Sequence, residues 1–278
     1  MKELKWSLFF LYLFLQIVTV TSGNYMRNTS YEKPDVAEII TKEKTSSNYK
    51  IIYVDSPEDL KKEEKSKKYV YAVGKIDLSA YPVEEKKDLF VKLMMPAIEI
   101  SRDQILENRS WVKKIIKRGS VKAKEKDRLE KLYDDYGIED GDNKKLLEKM
   151  IIPPTSLILS QAALESGWGT SRFFREGNNV FGIWSYDSSD ERIKAGESRE
   201  NGFTAYLKKF VDLKEAVDGY ILLISTGSAY ENLRKGINRG ENSEKLAKYL
   251  VKYSELGYSY TERIEKVIRV NELEKYDI

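Results

Sequence analysis

The chain offers carboxylates for bond cleavage, and Glu165 is the candidate that its surroundings single out. It ends the apolar run 157–164 and is followed by Gly167, Trp168 and Gly169. A carboxylate in the last turn of a helix faces the negative end of the helix dipole, which disfavours its ionised form by roughly 0.3–1 kcal/mol. Burial among apolar and aromatic side chains would raise its pKa further. A carboxyl group that is protonated near neutral pH is suited to general acid catalysis.

The composition excludes several other kinds of hydrolytic site. The 278 residues contain no histidine and no cysteine. A Ser-His-Asp or Cys-His hydrolase is therefore excluded in its usual form, and a catalytic zinc site is not expected. We predict no metal and no organic cofactor. The net charge of +3 is too small for a chain with 48 basic and 45 acidic residues to indicate nucleic acid binding. Carboxylate pairs, which are the usual acid and base for glycosidic bonds, remain available.

The N-terminus has the layout of a secretory signal. Residues 1–5 carry two lysines, residues 6–20 form an almost unbroken apolar run, and residues 21–23 are small. The run is somewhat shorter than the roughly 20 apolar residues of a spanning helix. We expect residues 1–23 to be a signal peptide that exports the protein to the periplasm, the cell envelope or the medium. An uncleaved N-terminal anchor is the alternative, and no other membrane contact is expected.

The remaining sequence divides into a polar segment and a helical domain. Residues 24–82 are rich in charged and polar side chains, which predicts a largely disordered segment, with a short strand or helix possible at 51–54. From residue 83 to residue 278 apolar residues recur with helical spacing, except in the polar, aromatic-interrupted stretch 183–210, which predicts a small β-lobe. The predicted class is mainly α. The predicted helices cover 83–119 (with a break near Pro96 as an alternative), 129–136, 146–150, 155–166, 213–224, 244–256 and 261–273.

One segment resembles a known family. Residues 160–184, SQAALESGWGTSRFFREGNNVFGIW, are similar to the signature of glycoside hydrolase family 73, a glucosaminidase family. The likeness extends to the upstream helix DLFVKLMMPAIEISRDQILENR and the tail AKYLVKYSELGYSY, and covers roughly two thirds of the chain. The resemblance implies a lysozyme-like helical domain whose β-lobe insertion forms a substrate cleft. It also implies cleavage of the β-1,4 bond after N-acetylglucosamine in peptidoglycan glycan strands, and we expect a monomer.

The resemblance assigns roles to two carboxylates. Glu165 matches the catalytic acid of the family. A second carboxylate usually lies in the β-lobe, ahead of a phenylalanine to which Phe210 corresponds, and we predict Glu197 for this role. The competing residues in the same polar stretch are Asp190, Glu191 and Glu200.

Further residues are predicted around the acid. Tyr253 matches a cleft tyrosine of the family, which would bind the N-acetyl group or hold the attacking water; a plain aromatic of an amphipathic helix is the alternative. The residues predicted to bind substrate are Gln161, Trp168, Asn179, Phe181 and Trp184. Gln161 lies one turn before Glu165, so orienting the acid is its alternative role. Shaping the turn is the alternative for Asn179.

Two other functions stay open. A lytic transglycosylase also uses one glutamate on this fold, but cuts the bond on the muramic acid side without adding water. A catalytically weak envelope protein that only binds glycan is the other alternative. Whether a hydrolase would be inverting, retaining or substrate-assisted depends on the separation of its carboxylates and on the acetamido group.

Overall fold

The described chain opens with a short parallel β-ribbon that belongs to the core. The computed structural model describes residues 49–61, 68–196 and 204–277. Strands β1 (Lys50–Val54) and β2 (Tyr69–Val73) pair in parallel, and β2 is buried along almost its whole length. The predicted disorder of 24–82 is therefore wrong for residues 55–61 and 68–82, whereas β1 covers residues 51–54, where the sequence leaves a short strand or helix possible. The apolar side chains of β2 bury against the helices, whereas those of β1 are mostly half-buried or exposed. The burial of β2 offsets the conformational entropy lost when this segment becomes ordered.

Other N-terminal predictions lie outside the described residues. These are the signal peptide at 1–23 and the disorder predicted for 24–48 and 62–67. Within the described ranges no helix combines the length and apolar character needed to cross a membrane.

The described residues are mainly helical. The helices are α1 (Val83–Arg118), α2 (Lys126–Tyr136), α3 (Asn143–Lys149), α4 (Thr155–Ser166), α5 (Arg172–Gly177), α6 (Leu213–Thr226), α7 (Glu231–Asn238), α8 (Ser243–Ala247) and α9 (Tyr258–Val270). Short 3-10 turns occupy Pro57–Lys61, Leu78–Ala80, Ala123–Glu125, Ser228–Tyr230, Lys248–Leu250 and Leu273–Tyr276.

Helix α1 runs through Pro96 without a break. Its apolar stripe is buried on both sides of the proline, for example at Met94 and Ala97, where it packs on α6 and β2. An interior proline costs about 3 kcal/mol, whereas each large apolar side chain gains about 1.5–3 kcal/mol on burial. The buried stripe therefore keeps the helix continuous until Gly119, which adopts a left-handed conformation with φ 70°.

Helix α4 is the central helix of the described residues. Ten of its residues are buried, on every face, and it contacts α1, α8, α9 and the C-terminal turn Leu273–Tyr276. Its N-terminus is closed by Asp277, whose carboxylate accepts from the Ser156 backbone N–H at 2.7 Å and from the Ser156 hydroxyl at 2.6 Å. The end of the described chain thus stabilises the beginning of the helix that carries Glu165.

A small β-lobe lies between α5 and α6, as predicted. Strands β3 (Arg192–Lys194) and β4 (Tyr206–Lys208) pair antiparallel. The lobe is tied to the N-terminal ribbon through Asn178, whose side-chain carbonyl accepts from the Val73 N–H at 2.7 Å and whose amide donates to the Phe210 carbonyl at 2.9 Å. The structure thus confirms the mainly helical class with a small β insertion.

The C-terminal helices differ from the prediction. Instead of one helix over 244–256, α8 ends at Ala247 and is capped by Asn242, and α9 begins at Tyr258. Between them Gly257 has φ 54° and ψ −122°, a backbone conformation that essentially only glycine adopts. This turn redirects the chain so that tyrosines from two segments point into the core.

Candidate active site

Glu165 lies in the last turn of α4, in a largely apolar environment. The helix ends at Gly167, which adopts φ 62° and turns the chain sharply. Burial raises the pKa of Glu165 to about 7, and a hydrogen bond from Tyr260 acts in the opposite direction. The carboxyl group is therefore about half protonated near neutral pH. Among the described residues no other charged group contributes to this shift.

A hydrogen-bonded chain of three side chains reaches Glu165 from the interior. The Tyr260 hydroxyl donates to Glu165 Oε1 at 2.9 Å. Gln161 Nε2 donates to the Tyr260 hydroxyl at 3.0 Å, and the Tyr220 hydroxyl donates to Gln161 Oε1. The chain joins α4, α6 and α9, so three helices determine the position of one carboxyl oxygen.

Stacked aromatic rings enclose this chain. Phe181 stacks on Tyr220 with ring centres 4.3 Å apart, and Tyr253 stacks on Tyr260 at 5.5 Å. Burial and the proximity of Glu165 raise the pKa of Tyr220, Tyr253 and Tyr260 well above the usual value. These hydroxyls keep their protons near neutral pH, so Glu165 is the member of the cluster that exchanges a proton there.

The turn after Glu165 packs on α1. Trp168 is half-buried in a left-handed conformation, its ring meets Phe90 edge-on at 5.7 Å, and the Lys87 ammonium lies over it. At Gly169 a Cβ atom would lie 2.7–3.0 Å from the side chains of Leu78, Phe174 and Phe90. This residue must therefore be glycine for the turn to approach α1. A sugar contact by Trp168 stays a prediction.

Three predicted substrate-binding residues are buried instead. Gln161 is 0% exposed and belongs to the hydrogen-bonded chain. Phe181 is 3% exposed, with its ring on Tyr220. Asn179 is 1% exposed: its amide donates to the carbonyls of Ile183 and Lys208 at 2.8 Å, and its oxygen accepts from the Ile183 N–H at 2.9 Å. These side chains present no surface to a sugar, so the predicted direct contacts are corrected to roles in holding the site together.

The positions of Tyr253 and Trp184 neither support nor contradict the roles predicted for them. Tyr253 is buried, with its hydroxyl 3.4 Å from the Phe181 carbonyl rather than bonded to Glu165. Trp184 is half-buried at the base of the β-lobe, where it forms a bridge with Leu207. A catalytic role for Tyr253 and a sugar contact for Trp184 stay predictions.

Two of the four candidates for the second carboxylate lie among the described residues. Glu197 and Glu200 lie outside them. Asp190 forms an ion pair with Lys208 at 3.1 Å and accepts from the Ser185 hydroxyl at 3.0 Å, and Glu191 is exposed. Neither contributes to the raised pKa of Glu165. Within the described ranges no group of three or more acidic side chains is arranged to hold a metal ion.

Sequence reasoning missed Tyr220 and Tyr260. Tyr260 lies 95 residues from Glu165, and three tyrosines occur within residues 253–260. Spacing alone does not reveal which of these three tyrosines contacts Glu165, because that depends on the backbone conformation of Gly257. Tyr220 could have been recognised only as a member of the apolar face of α6.

Comparison with known proteins identifies the domain that contains this arrangement. Residues 142–273 match the family model described as glucosaminidase, mannosyl-glycoprotein endo-beta-N-acetylglucosaminidase. This segment holds α4, the β-lobe and α9.

Similar proteins come from several bacteria. Protein bax of Escherichia coli K12 is 31% identical over 166 residues, which are 57% of this chain and 58% of the relative. Exo-glucosaminidase LytG of Bacillus subtilis is 25% identical over 146 residues, which are 49% of this chain and 50% of the relative. The chain thus matches less than two thirds of either relative's length.

A solved structure is also similar. The catalytic domain of the autolysin Auto from Listeria monocytogenes aligns with 57% of this chain and 90% of its own, at 21% identity and a TM-score of 0.38.

The match to the family model, together with the sequence relatives, assigns the segment around Glu165 to the glucosaminidase family. The chain therefore carries a glucosaminidase domain of glycoside hydrolase family 73.

Proposed function

We propose that the protein is an exported peptidoglycan hydrolase that cleaves the β-1,4 bond after N-acetylglucosamine, with Glu165 as general acid. The observation that carries this proposal is the environment of Glu165. Its pKa is raised by burial to about 7, and it ends the central helix of a glucosaminidase-family domain. The name of the Bacillus subtilis relative, an exo-glucosaminidase, supports cleavage of a glucosaminyl bond, and the family likeness of residues 160–184 supports peptidoglycan as the substrate. The signal-like residues 1–23 support export to the envelope or beyond.

Proton transfer from Glu165 explains how the bond would break. The protonated carboxyl group donates its proton to the bridging oxygen while the bond from that oxygen to the anomeric carbon breaks. A water molecule adds to the anomeric carbon and gives up a proton. The Tyr260 O–H stabilises the carboxylate that forms, because it donates to Oε1 at 2.9 Å.

We propose Glu197 as the group that accepts the proton from water. Its position in the sequence, between β3 and β4, supports this role. The environments of its described competitors also favour it: Asp190 is already engaged with Lys208 and Ser185, and Glu191 is exposed. The variant Glu197→Gln is expected to lower turnover more than tenfold, and near-normal turnover would transfer the role to another residue of the lobe.

One observation favours a lytic transglycosylase as the second candidate. Among the described residues no second carboxylate acts on Glu165, and a transglycosylase needs only one. The two reactions differ in their products, because only hydrolysis consumes water.

Mass spectrometry of digested peptidoglycan separates these candidates. Purified protein, with and without residues 1–23, is incubated with peptidoglycan beside the Glu165→Gln variant. Products that end in reducing N-acetylglucosamine and are absent with the variant are expected. Anhydromuramic ends would indicate a transglycosylase, and no release at all would indicate a glycan-binding protein. Full activity of Glu165→Gln would refute the assignment of the acid.

A further inference from the structure

The hydrogen-bonded chain behind Glu165 has a direction. The side-chain amide of Gln161 has one accepting end and one donating end, and the two ends face different tyrosines. Its Oε1 accepts from the Tyr220 hydroxyl, so its Nε2 faces the Tyr260 hydroxyl and donates to it at 3.0 Å. A tyrosine hydroxyl carries a single proton, and that of Tyr260 points to Glu165 Oε1 at 2.9 Å.

The surroundings of the chain hold this direction. Tyr220, Gln161 and Tyr260 are all buried, and the rings of Phe181 and Tyr253 stack on the two tyrosines at interplanar angles of 13°. Both tyrosines have a pKa well above the usual value because of burial, so neither hydroxyl loses its proton near neutral pH. The donors therefore run one way, from Tyr220 to Glu165.

We propose that Tyr220 and Gln161 are positioning residues that direct the Tyr260 hydroxyl onto Glu165 Oε1, so that the transferable proton of the acid is carried on Oε2. This inference rests on the proposed role of Glu165. Oε1 already accepts the hydrogen bond from the Tyr260 hydroxyl, on the side that faces the protein interior. The proton of the neutral acid is consequently placed on the oxygen that does not face Tyr260.

The opposite direction would make the acid unproductive. If the amide of Gln161 were reversed, its Oε1 would take the proton of Tyr260. The neutral Glu165 would then donate its own proton from Oε1 to the Tyr260 oxygen, into the interior and away from any substrate. Tyr220 disfavours this reversal, because its hydroxyl proton would then lose the acceptor that the Gln161 amide supplies at Oε1.

The direction of the chain is testable without substrate. Carbon NMR of the full-length protein, labelled with ¹³C at the glutamate carboxyl carbons, follows the titration of Glu165, whose signal is assigned with the Glu165→Gln variant. Tyr260→Phe removes a hydrogen bond to the carboxylate and is expected to raise the pKa of Glu165 by about one pH unit. Tyr220→Phe frees the amide to reverse and is expected to shift the titration in the same direction by a smaller amount.

The double variant distinguishes this chain from a general effect of the substitutions. If Tyr220 acts through Tyr260, then Tyr220→Phe causes no further shift in the Tyr260→Phe background. Tyr230→Phe is the matched control, since Tyr230 is a buried tyrosine that senses Glu165 but is not part of the chain. This control variant is expected to leave the pKa of Glu165 unchanged.

Three outcomes would overturn the inference. They are an unchanged titration in folded Tyr220→Phe, an equal shift in Tyr230→Phe, and a Tyr220→Phe shift that persists without the Tyr260 hydroxyl. If Tyr220→Phe does not fold, Gln161→Met is expected to give the same pattern, and its failure to do so overturns the inference as well. Because the titration needs no substrate, loss of wall cleavage by Glu165→Gln tests the proposed function separately. In active protein Tyr220→Phe is expected to lower kcat several-fold and leave KM unchanged, because Tyr220 is buried.

Discussion

Replacing Glu165 by glutamine is expected to stabilise the folded protein at alkaline pH. In the native state burial raises the pKa of Glu165 from 4.5 to about 7. Between these values the native protein holds a proton that the unfolded chain has released, so the free energy of unfolding falls as pH rises. Each pH unit is worth about 1.4 kcal/mol, so the wild-type protein loses up to about 3 kcal/mol by pH 7 and above.

Glutamine avoids this loss because it is neutral at every pH and can still accept from Tyr260. The two proteins are expected to have similar stability at about pH 4.5. By about pH 8 the variant is expected to be more stable by up to about 3 kcal/mol. The sign is unusual for a substitution of a half-buried polar residue, and it follows from the cost of ionising an acid in an apolar site.

Urea unfolding at both pH values measures this difference directly. The control is Glu130→Gln on α2, an exposed position with the same change in charge. Its effect on the free energy of unfolding is expected to stay within about 0.5 kcal/mol at both pH values. A difference between wild type and Glu165→Gln that is the same at both pH values would refute the argument that burial raises the pKa of this group.

Further predictions concern the same helix and the turn that follows it. Turnover is expected to decline as pH rises past about 7, because Glu165 then loses the proton that it must donate; kcat that keeps rising through about pH 8 would contradict the acid role. Asp277→Ala removes the carboxylate that accepts from Ser156 at the start of α4, and it is expected to lower the free energy of unfolding by about 1–2 kcal/mol. An unchanged midpoint in chemical denaturation would contradict this prediction. Gly169→Ala is expected to destabilise by more than about 2 kcal/mol, because its Cβ would clash at 2.7–3.0 Å. Gly119→Ala is the control, because Gly119 has a similar positive φ but open space around it, so the substitution isolates the backbone cost of about 1 kcal/mol. Equal losses of stability in the two variants would contradict the packing argument.

Local patterns predicted most of the helical domain. The bounds of α4, the left-handed glycines that end α1 and α2, and the β-lobe before α6 follow from apolar spacing and from glycine positions. These features depend on neighbours within one or two turns, which is why a single sequence reveals them. The ribbon of β1 and β2 could not be predicted in the same way. Strand β2 is stabilised by burial against distant helices and β1 by pairing with β2, while many of the residues between the two strands are charged.

For the site, the sequence by itself predicted Glu165 as the candidate acid and predicted that burial raises its pKa. Glu165 ends an apolar helix, so its desolvation is inherent in the run that precedes it. Only the tertiary structure decided its partners. It brings Tyr260 rather than Tyr253 to the carboxyl group and makes Gln161 a link to Tyr220 rather than a ligand for sugar. The contacts between these side chains join residues 59 to 99 positions apart, and they form only when α4, α6 and α9 pack together.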